Sequence, residues 1–166
     1  MSKEIVLVSD NHGRIEVLRK IRELHPNADA YLHCGDAEVD EEHLESFAAV
    51  KGNNDTEYDY PETRVIDLGE CKILMIHGHQ YFMGTRLEQL AKRAKHIGCN
   101  MAFFGHTHVF HVSTLEGVLL VNPGSVYNNR DGTPPCYALI HNRDGGWKVE
   151  RKPVPVKENP YWQHWL

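Results

Sequence analysis

The sequence Phe-Gly-His-Thr-His at residues 104–108 begins at the last residue of the apolar run Met-Ala-Phe-Phe at residues 101–104. This apolar run predicts a short buried strand. A glycine ends this strand, and two histidines separated by one residue follow it. Side chains two residues apart share a face only where the backbone is extended, so at a strand end they can address two neighbouring points. Because imidazole is the commonest protein ligand of transition metals, we expect His106 and His108 each to hold a different metal ion. Two structural histidines at a strand end would produce the same local pattern.

Four other predicted strands end in a similar turn, which combines glycine with potential metal ligands. These turns are Asp10-Asn11-His12-Gly13, Gly35-Asp36, Gly52-Asn53 and His77-Gly78-His79. In open α/β sheets, ligands bind outside the carboxyl ends of the strands, so five such ends in one sheet would converge on one cleft. Each turn alone is also typical of a surface loop. Their repetition at five strand ends indicates a shared binding site.

The residue types at these ends fit a centre of two metal ions. Carboxylates mixed with imidazoles suit Mn²⁺, Fe or Zn²⁺, and two divalent ions about 3.5–4 Å apart can clamp both oxygens of a phosphoryl displacement. The two ions repel each other, so an anionic ligand has to bridge them, and Asp36 is the candidate. With Asp10, Asp36 and a bridging hydroxide, the centre carries a charge of about +1, which attracts an anionic phosphate ester and lowers the pKa of bound water.

The predicted elements alternate between strand and helix in the first part of the chain. Strands are predicted at residues 5–8, 30–33, 47–50, 63–68, 72–76 and 101–104, and helices at about residues 14–25 and 84–97. Beyond residue 108, strands at 110–115, 118–122, 136–141 and 147–152 form two hairpins, which we expect to continue as one β-meander. The basic residues of the second helix, Arg86, Lys92, Arg93 and Lys95, are expected on a solvated face.

Composition narrows the class of protein. The 166 residues are 41% apolar and carry a net charge of −5, which is ordinary for one globular domain and speaks against a nucleic-acid partner. No apolar stretch is long enough to cross a membrane. The start of the chain lacks the pattern of a signal peptide, and the four cysteines form no Cys-x-x-Cys pair. We therefore expect a cytoplasmic protein with reduced thiols.

The chain is expected to form one domain over residues 1–166, with a tail at 153–166 that is rich in proline and aromatic residues. The tail carries Tyr161, Trp162 and Trp165. Disordered segments are poor in such residues, so we expect the tail to pack on the body or on a second subunit. A homodimer is the oligomer that this packing favours.

Taken in order, the five turns resemble the motifs of the calcineurin-like metallophosphoesterase superfamily, and most of all those of its small single-domain bacterial and archaeal phosphodiesterases. The resemblance extends from residue 4 to about residue 141, and Asn122-Pro123-Gly124-Ser125 also fits the small members. It implies an α/β fold of four layers, in which two mixed β-sheets form a sandwich flanked by helices.

The resemblance also implies how the ligands are shared. Asp10, His12 and His108 would hold one ion, Asn53, His77 and His106 would hold the other, and Asp36 would bridge them. Asn53 would also contact the substrate phosphate. Mn²⁺ is the expected metal, with Fe, Zn²⁺, Ni²⁺ and Mg²⁺ as alternatives.

One position departs from the family pattern. Many members have a histidine directly after the Gly-Asn asparagine, where it protonates the leaving group, whereas this chain has Asn54. A neutral amide cannot serve as a general acid. His79 is the available substitute, so Asn53 and His79 are the residues expected to act in catalysis. Modest turnover and a preference for good leaving groups follow from this departure.

The expected function is therefore hydrolysis of a small phosphate ester, most of all a diester, by a hydroxide that bridges two metal ions. A non-catalytic scaffold with the same fold is the first alternative, because the superfamily includes one in the retromer coat. A scaffold is free to lose metal ligands, whereas this chain retains every predicted one. A nuclease is the second alternative, and the acidic net charge speaks against it.

Overall fold

Two five-stranded β-sheets and two α-helices make up the computed structural model, which describes residues 2–44 and 46–155. The strands are β1 (Glu4–Val8), β2 (Ala30–His33), β3 (Ala48–Ala49), β4 (Thr63–Asp67), β5 (Lys72–Ile76), β6 (Met101–Phe103), β7 (Phe110–Leu115), β8 (Val118–Pro123), β9 (Cys136–His141) and β10 (Lys148–Pro153). The helices are α1 (Glu16–Leu24) and α2 (Arg86–His96), and 3₁₀ turns cover Glu41–His43 and Met83–Thr85. The predicted tail residues Tyr161, Trp162 and Trp165 lie outside the described residues.

The strand order is β10-β9-β1-β2-β3 in the first sheet and β4-β5-β6-β8-β7 in the second. Strands β1, β2 and β3 run parallel, as do β5, β6 and β8. The five predicted strand ends therefore belong to two sheets and not to a single sheet, which agrees with the two mixed sheets that the family resemblance implies. The ends still meet, because both sheets present the carboxyl ends of their parallel strands at the same end of the sandwich.

Both predicted hairpins are present, but they do not form one β-meander. Strand β8 pairs with β6 in the second sheet, whereas β9 pairs antiparallel with β1 in the first. The chain crosses from one sheet to the other between β8 and β9. The hairpins follow from local turns, while the choice of sheet depends on distant pairing partners.

Three apolar layers hold the structure together. Strand β1 shows why its apolar run is continuous, because Ile5 and Leu7 face the core between the sheets while Val6 and Val8 face α1. On the outer side of the second sheet, α2 packs Leu90 and its neighbouring small residues against β5, β6 and β8. The result is the predicted four-layer sandwich of helix, sheet, sheet and helix.

Arg86 corrects the prediction for the second helix. It opens α2 and is only 8% exposed, and its Nε donates a hydrogen bond to the carbonyl oxygen of Gly78 at 2.9 Å. The guanidinium therefore supports the turn after β5, while Lys92, Arg93 and Lys95 are exposed as predicted. Within the described ranges, no helix combines the length and apolarity needed to cross a membrane.

Candidate metal centre

The turns that carry the predicted ligands have an unusual backbone. Non-glycine residues with φ between +45° and +70° occupy them, a region that side chains with a β-carbon rarely adopt. They include Asp10, His12, Asp36, His106 and His108. Each such residue costs about 1–2 kcal/mol relative to a right-handed conformation. Such strain persists only where surrounding contacts hold it, and it marks these strand ends as a functional region.

Backbone hydrogen bonds hold neighbouring turns against each other. The N–H of Asp10 donates to the carbonyl of Gly35 at 3.0 Å, and that of Gly105 donates to the carbonyl of His77 at 2.9 Å. Gly52 has to be a glycine, because a β-carbon there would collide with the carboxylate of Asp36. The close approach of these backbones brings the ligand side chains together.

Asp10, His12 and His108 form the first group of converging ligand atoms, which lie within 4.8 Å of one another. Oδ1 of Asp10 is 3.3 Å from Nε2 of His108 and 3.9 Å from Nε2 of His12. The two Nε2 atoms are 3.2 Å apart. This is the set that the sequence predicts for one metal ion.

A second group of ligand atoms contains Asp10, Asp36 and His77. Nε2 of His77 lies 3.3 Å from Oδ2 of Asp36 and 3.9 Å from Oδ1 of Asp10. The side-chain oxygen of Asn53 lies 3.0 Å from Nε2 of His77 and 3.1 Å from Nδ1 of His106. All seven predicted ligands thus lie in one cluster. Asp10 belongs to both groups, whereas Asp36 belongs to the second, and a bridging role for Asp36 stays a prediction.

The hydrogen bonds of the ring nitrogens show that this cluster suits a cation. Nδ1 of His77 donates to the carbonyl of Cys34 at 2.6 Å, and Nδ1 of His108 donates to the carbonyl of Asn128 at 2.8 Å. In the neutral rings, both Nε2 atoms therefore carry lone pairs. Among the described residues, the buried Oδ1 of Asp10 has no hydrogen-bond partner, although it faces these lone pairs. Oxygen and imidazole donors gathered around such an atom fit a divalent metal ion.

The cluster shifts the pKa values of its own members. Burial opposes ionisation of Asp36, but hydrogen bonds from His77 and Asn54 outweigh it and hold the pKa of that carboxyl well below its usual range. Burial lowers the pKa of His77, but the hydrogen bond that the protonated ring donates from Nε2 to Asp36, together with the charge of Asp10, raises it by more, so the net shift is upward. Burial, with the nearby charges of His77 and Arg86, lowers the pKa of His106 to about 4. His106 is therefore neutral and able to act as a ligand at pH 7.

Of the two residues predicted to act in catalysis, Asn53 belongs to the cluster and His79 lies beside it. Asn53 is exposed, and its oxygen faces His77 and His106. The ring of His79 is 5.4 Å from that of His77 and 6.1 Å from that of His106. Its Nδ1 is buried and has no hydrogen-bond partner within residues 2–44 and 46–155. Burial and the charge of His77 lower its pKa, so His79 is mostly neutral at pH 7.

Asn54 contacts Asp36. Its backbone N–H donates to Oδ1 of that carboxylate at 2.8 Å, and its side-chain Nδ2 donates to Oδ2 at 3.0 Å. The amide therefore supports a proposed ligand, and its N–H groups are not acidic enough to protonate a leaving group. This geometry agrees with the expected weakness in general-acid catalysis.

Asp55 supports this cluster but is not among the residues predicted from the sequence. It is fully buried, and its carboxylate accepts hydrogen bonds of 2.8 Å from the backbone N–H groups of Asp36, Glu38 and Gly52. Its position three residues after Gly52 was the available signal, because aspartate often accepts hydrogen bonds from turn N–H groups.

Other supporting residues were also missed. Fully buried His33 accepts a hydrogen bond from the N–H of Gly35 and donates one to Asn11, at 3.0 and 2.9 Å. Ser125, from the Asn-Pro-Gly-Ser loop, donates to the carbonyl of Asp10 at 2.8 Å. The contacts of His33 with Asn11 and of Ser125 with Asp10 connect segments that are far apart in sequence, so local patterns do not reveal them.

Comparison with known proteins agrees with the geometry. The profile of the calcineurin-like phosphoesterase superfamily domain matches residues 4–145. The chain is 35% identical over 139 residues to the probable metallophosphoesterase YsnB of Bacillus subtilis, with 82% of each chain covered. A crystal structure of a predicted phosphoesterase from Streptococcus pneumoniae aligns with a TM-score of 0.85 at 29% identity, covering 93% of this chain and 94% of that one. Vps29 of Cryptosporidium parvum shares the fold, with a TM-score of 0.67 at 24% identity over 91% of this chain and 97% of its own.

Proposed function

Because the chain belongs to the calcineurin-like phosphoesterase superfamily, we propose that it is a phosphodiesterase that hydrolyses small phosphate esters with two divalent metal ions. The observation that carries the proposal is the buried Oδ1 of Asp10, which lacks a hydrogen-bond partner among the described residues and faces Nε2 atoms of three histidines. A buried carboxylate oxygen without a partner is costly. A bound cation would remove that cost.

The proposed ligand sets are those that the family resemblance implies, and all their members lie in the one cluster. Asp10, His12 and His108 would hold the first ion, and Asn53, His77 and His106 would hold the second, with Asp36 between them. Mn²⁺ is the proposed metal. When bound, the ions would supply the positive charge that binds the phosphate and acidifies the attacking water.

The side chains of Asn53 and His79 would act on the substrate itself. The oxygen of Asn53 faces His77 and His106, which leaves its Nδ2 group to donate to a phosphate oxygen. His79 would donate a proton to the leaving alkoxide, but its lowered pKa leaves little of the protonated form at pH 7. Esters with acidic leaving groups therefore suit this site best.

The proposed lack of a strong general acid can be tested directly by kinetics. Across a series of aryl phosphodiesters, we expect kcat to rise as the pKa of the leaving phenol falls. Asn54→His, which would restore the histidine of many family members, should make the dependence shallower. A kcat that does not change with leaving-group pKa would contradict the proposed lack of a strong general acid.

A protein-interaction scaffold is the alternative to be separated from this proposal. Vps29 has the same fold, but its 24% identity shows the fold alone. This chain retains every predicted ligand in one cluster, and that completeness favours the enzyme. A nuclease is disfavoured by the net charge of −5. Cytoplasmic location and a homodimer remain predictions from the sequence.

The separating experiment measures metal content and turnover on the same preparation. The purified protein should contain Mn²⁺ or take up about two equivalents, and it should hydrolyse bis(p-nitrophenyl) phosphate only with metal present. Asp36→Asn should reduce turnover at least about 100-fold, whereas Asp59→Asn, which changes an exposed aspartate, should have no effect. Two bound ions without any turnover would favour the scaffold and contradict the proposed activity.

A further inference from the structure

Glu38 lies two residues after the proposed ligand Asp36, and its carboxylate accepts a hydrogen bond from Nδ1 of His12. The side chain of Glu38 is 36% exposed, while that of His12 is 19% exposed. We infer that Glu38 is a positioning residue that fixes the ring of His12 and so prepares the Asp10–His12–His108 group for its metal ion. This inference rests on the proposed metal centre.

The contact with Glu38 decides which ring nitrogen His12 presents. Nδ1 is committed to Glu38, so Nε2 faces His108 at 3.2 Å and Asp10 at 3.9 Å. An ionised carboxylate only accepts hydrogen bonds, so the neutral ring keeps its proton on Nδ1 and its lone pair on Nε2. A carboxylate partner also makes the opposite nitrogen a more basic ligand. Glu38 thus sets the tautomer and the orientation of His12.

The backbone of Glu38 is held in place by a buried carboxylate. Glu38 has φ +57°, where a β-carbon is unfavourable, and its N–H donates to Oδ1 of Asp55 at 2.8 Å. Oδ2 of Asp55 accepts a hydrogen bond from the backbone N–H of Asp36, also at 2.8 Å. One fully buried side chain therefore fixes both a proposed ligand and the residue that orients another. Strain that is maintained in this way points to a role for the Glu38 side chain.

Two other histidines of the cluster are oriented by backbone carbonyls and not by a carboxylate. His77 and His108 donate from Nδ1 to backbone carbonyls, those of Cys34 and Asn128. A backbone carbonyl cannot be removed by substitution, whereas the carboxylate of Glu38 can. Of these three histidines, His12 is therefore the one whose orientation can be tested by changing its partner alone.

The test titrates Mn²⁺ into EDTA-treated protein by calorimetry and compares wild type, Glu38→Gln and Glu57→Gln. Glu57 is exposed in the loop that follows Asp55, so its substitution is a control with the same change of charge. We expect Glu38→Gln to weaken one of two Mn²⁺-binding steps about 10–100-fold and to leave the other within about threefold. Long-range ¹H–¹⁵N spectra of the metal-free protein should show the Nδ1–H tautomer of His12 in wild type and Glu57→Gln, and a tautomer mixture in Glu38→Gln.

The outcomes separate this inference from the proposed function. If wild type binds two ions and Glu38→Gln binds them equally well with the same His12 tautomer, the inference is overturned and the metal centre stands. If wild type binds no Mn²⁺, the proposed metal centre fails and the inference fails with it.

A second variant distinguishes positioning from general structural support. Glycine adopts φ +57° without the penalty of a side chain, so Glu38→Gly removes the carboxylate and relieves the backbone. We expect its Tm to be unchanged or higher than that of wild type, together with the same loss of Mn²⁺ affinity. A lower Tm combined with wild-type affinity for both ions would show a purely structural role and overturn the inference.

Discussion

At the scale of single residues, His106 and His108 show how one turn can serve two ligand sets. Both have a left-handed backbone, with φ +70° and +58°, and Thr107 separates them. His108 turns to Asp10, with 3.3 Å between Nε2 and Oδ1, while His106 turns to Asn53, with 3.1 Å between Nδ1 and Oδ1. The strained turn therefore points successive histidines at different partners, as the sequence pattern predicts.

We predict that His106→Ala and His108→Ala each lose a different ion. Each variant should retain about one equivalent of Mn²⁺ by elemental analysis, because the other ligand set stays intact. The double variant should retain none. If the double variant still holds one equivalent, both histidines serve the same ion and the split assignment is wrong.

His33 makes the metal-free protein sensitive to acid. It is fully buried, and burial lowers its pKa from 6.5 to about 4, although the charges of Asp10 and Asp55 partly oppose this shift. Between pH 6.5 and 4, His33 therefore binds a proton in the unfolded chain but not in the folded protein. The free energy of unfolding is therefore not affected by protonation of His33 above pH 6.5. It decreases as the pH falls toward 4, by roughly 3 kcal/mol in total.

We expect His33→Gln to flatten this pH dependence. The measurement is the free energy of unfolding in urea, with EDTA present, at several pH values between 7 and 4.5. The slope should be shallower in His33→Gln than in wild type, because no group at position 33 titrates. His43→Gln, which replaces an exposed histidine, should keep the wild-type slope. Equal slopes for all three proteins would contradict the account.

At the scale of elements, Asp55 connects the turns that follow β2 and β3. Its carboxylate accepts hydrogen bonds from the backbone N–H groups of Asp36, Glu38 and Gly52. All three donors lie in loops, outside the β-strands. Asp55→Asn replaces one accepting oxygen with a donating NH₂ group that faces backbone N–H groups. We predict a loss of about 2–4 kcal/mol in the free energy of unfolding, measured with urea. The exposed Asp59→Asn is the control, and a loss under about 0.5 kcal/mol for Asp55→Asn would contradict the prediction.

The elements also show what the sequence could predict. Local sequence patterns are enough to predict β1, from its continuous apolar run, and the hairpins β7–β8 and β9–β10. The seven proposed ligand positions are also marked by local patterns, because each lies within a short turn directly after a strand. The distribution of strands between two sheets is different, since β9 pairs with β1, more than a hundred residues earlier. Glu38 and the contacts of Asp55 with Asp36 and Glu38 were missed for a similar reason, because these partners are 17–26 residues apart in sequence. Arg86 was misplaced although its partner Gly78 is only eight residues earlier.

At the scale of the whole molecule, the candidate centre lies where the two sheets meet. Asp10 and Asp36 follow strands of the first sheet, and His77 and His106 follow strands of the second. Polar contacts join the sheets at this end, including that of His77 with the carbonyl of Cys34 at 2.6 Å and that of the His106 N–H with Oδ2 of Asp10 at 3.2 Å. The core between the sheets is formed by apolar side chains. A metal ion at this end would therefore strengthen the junction between the sheets.

Because the proposed ligands come from both sheets, Mn²⁺ should stabilise the fold as a whole. At a free concentration of about 100 times its Kd, one bound ion stabilises the folded state by about 2.7 kcal/mol if the unfolded chain does not bind it. For a chain of 166 residues, this corresponds to a rise in Tm of about 5–10 °C per site. Calorimetric scans with EDTA and with Mn²⁺ would measure it, and hydrogen exchange should slow at the strand ends of both sheets together. Asp36→Asn should lose at least half of the rise, because it removes a ligand between the sites. A wild-type Tm that does not respond to Mn²⁺ would show that the ions do not join the two sheets.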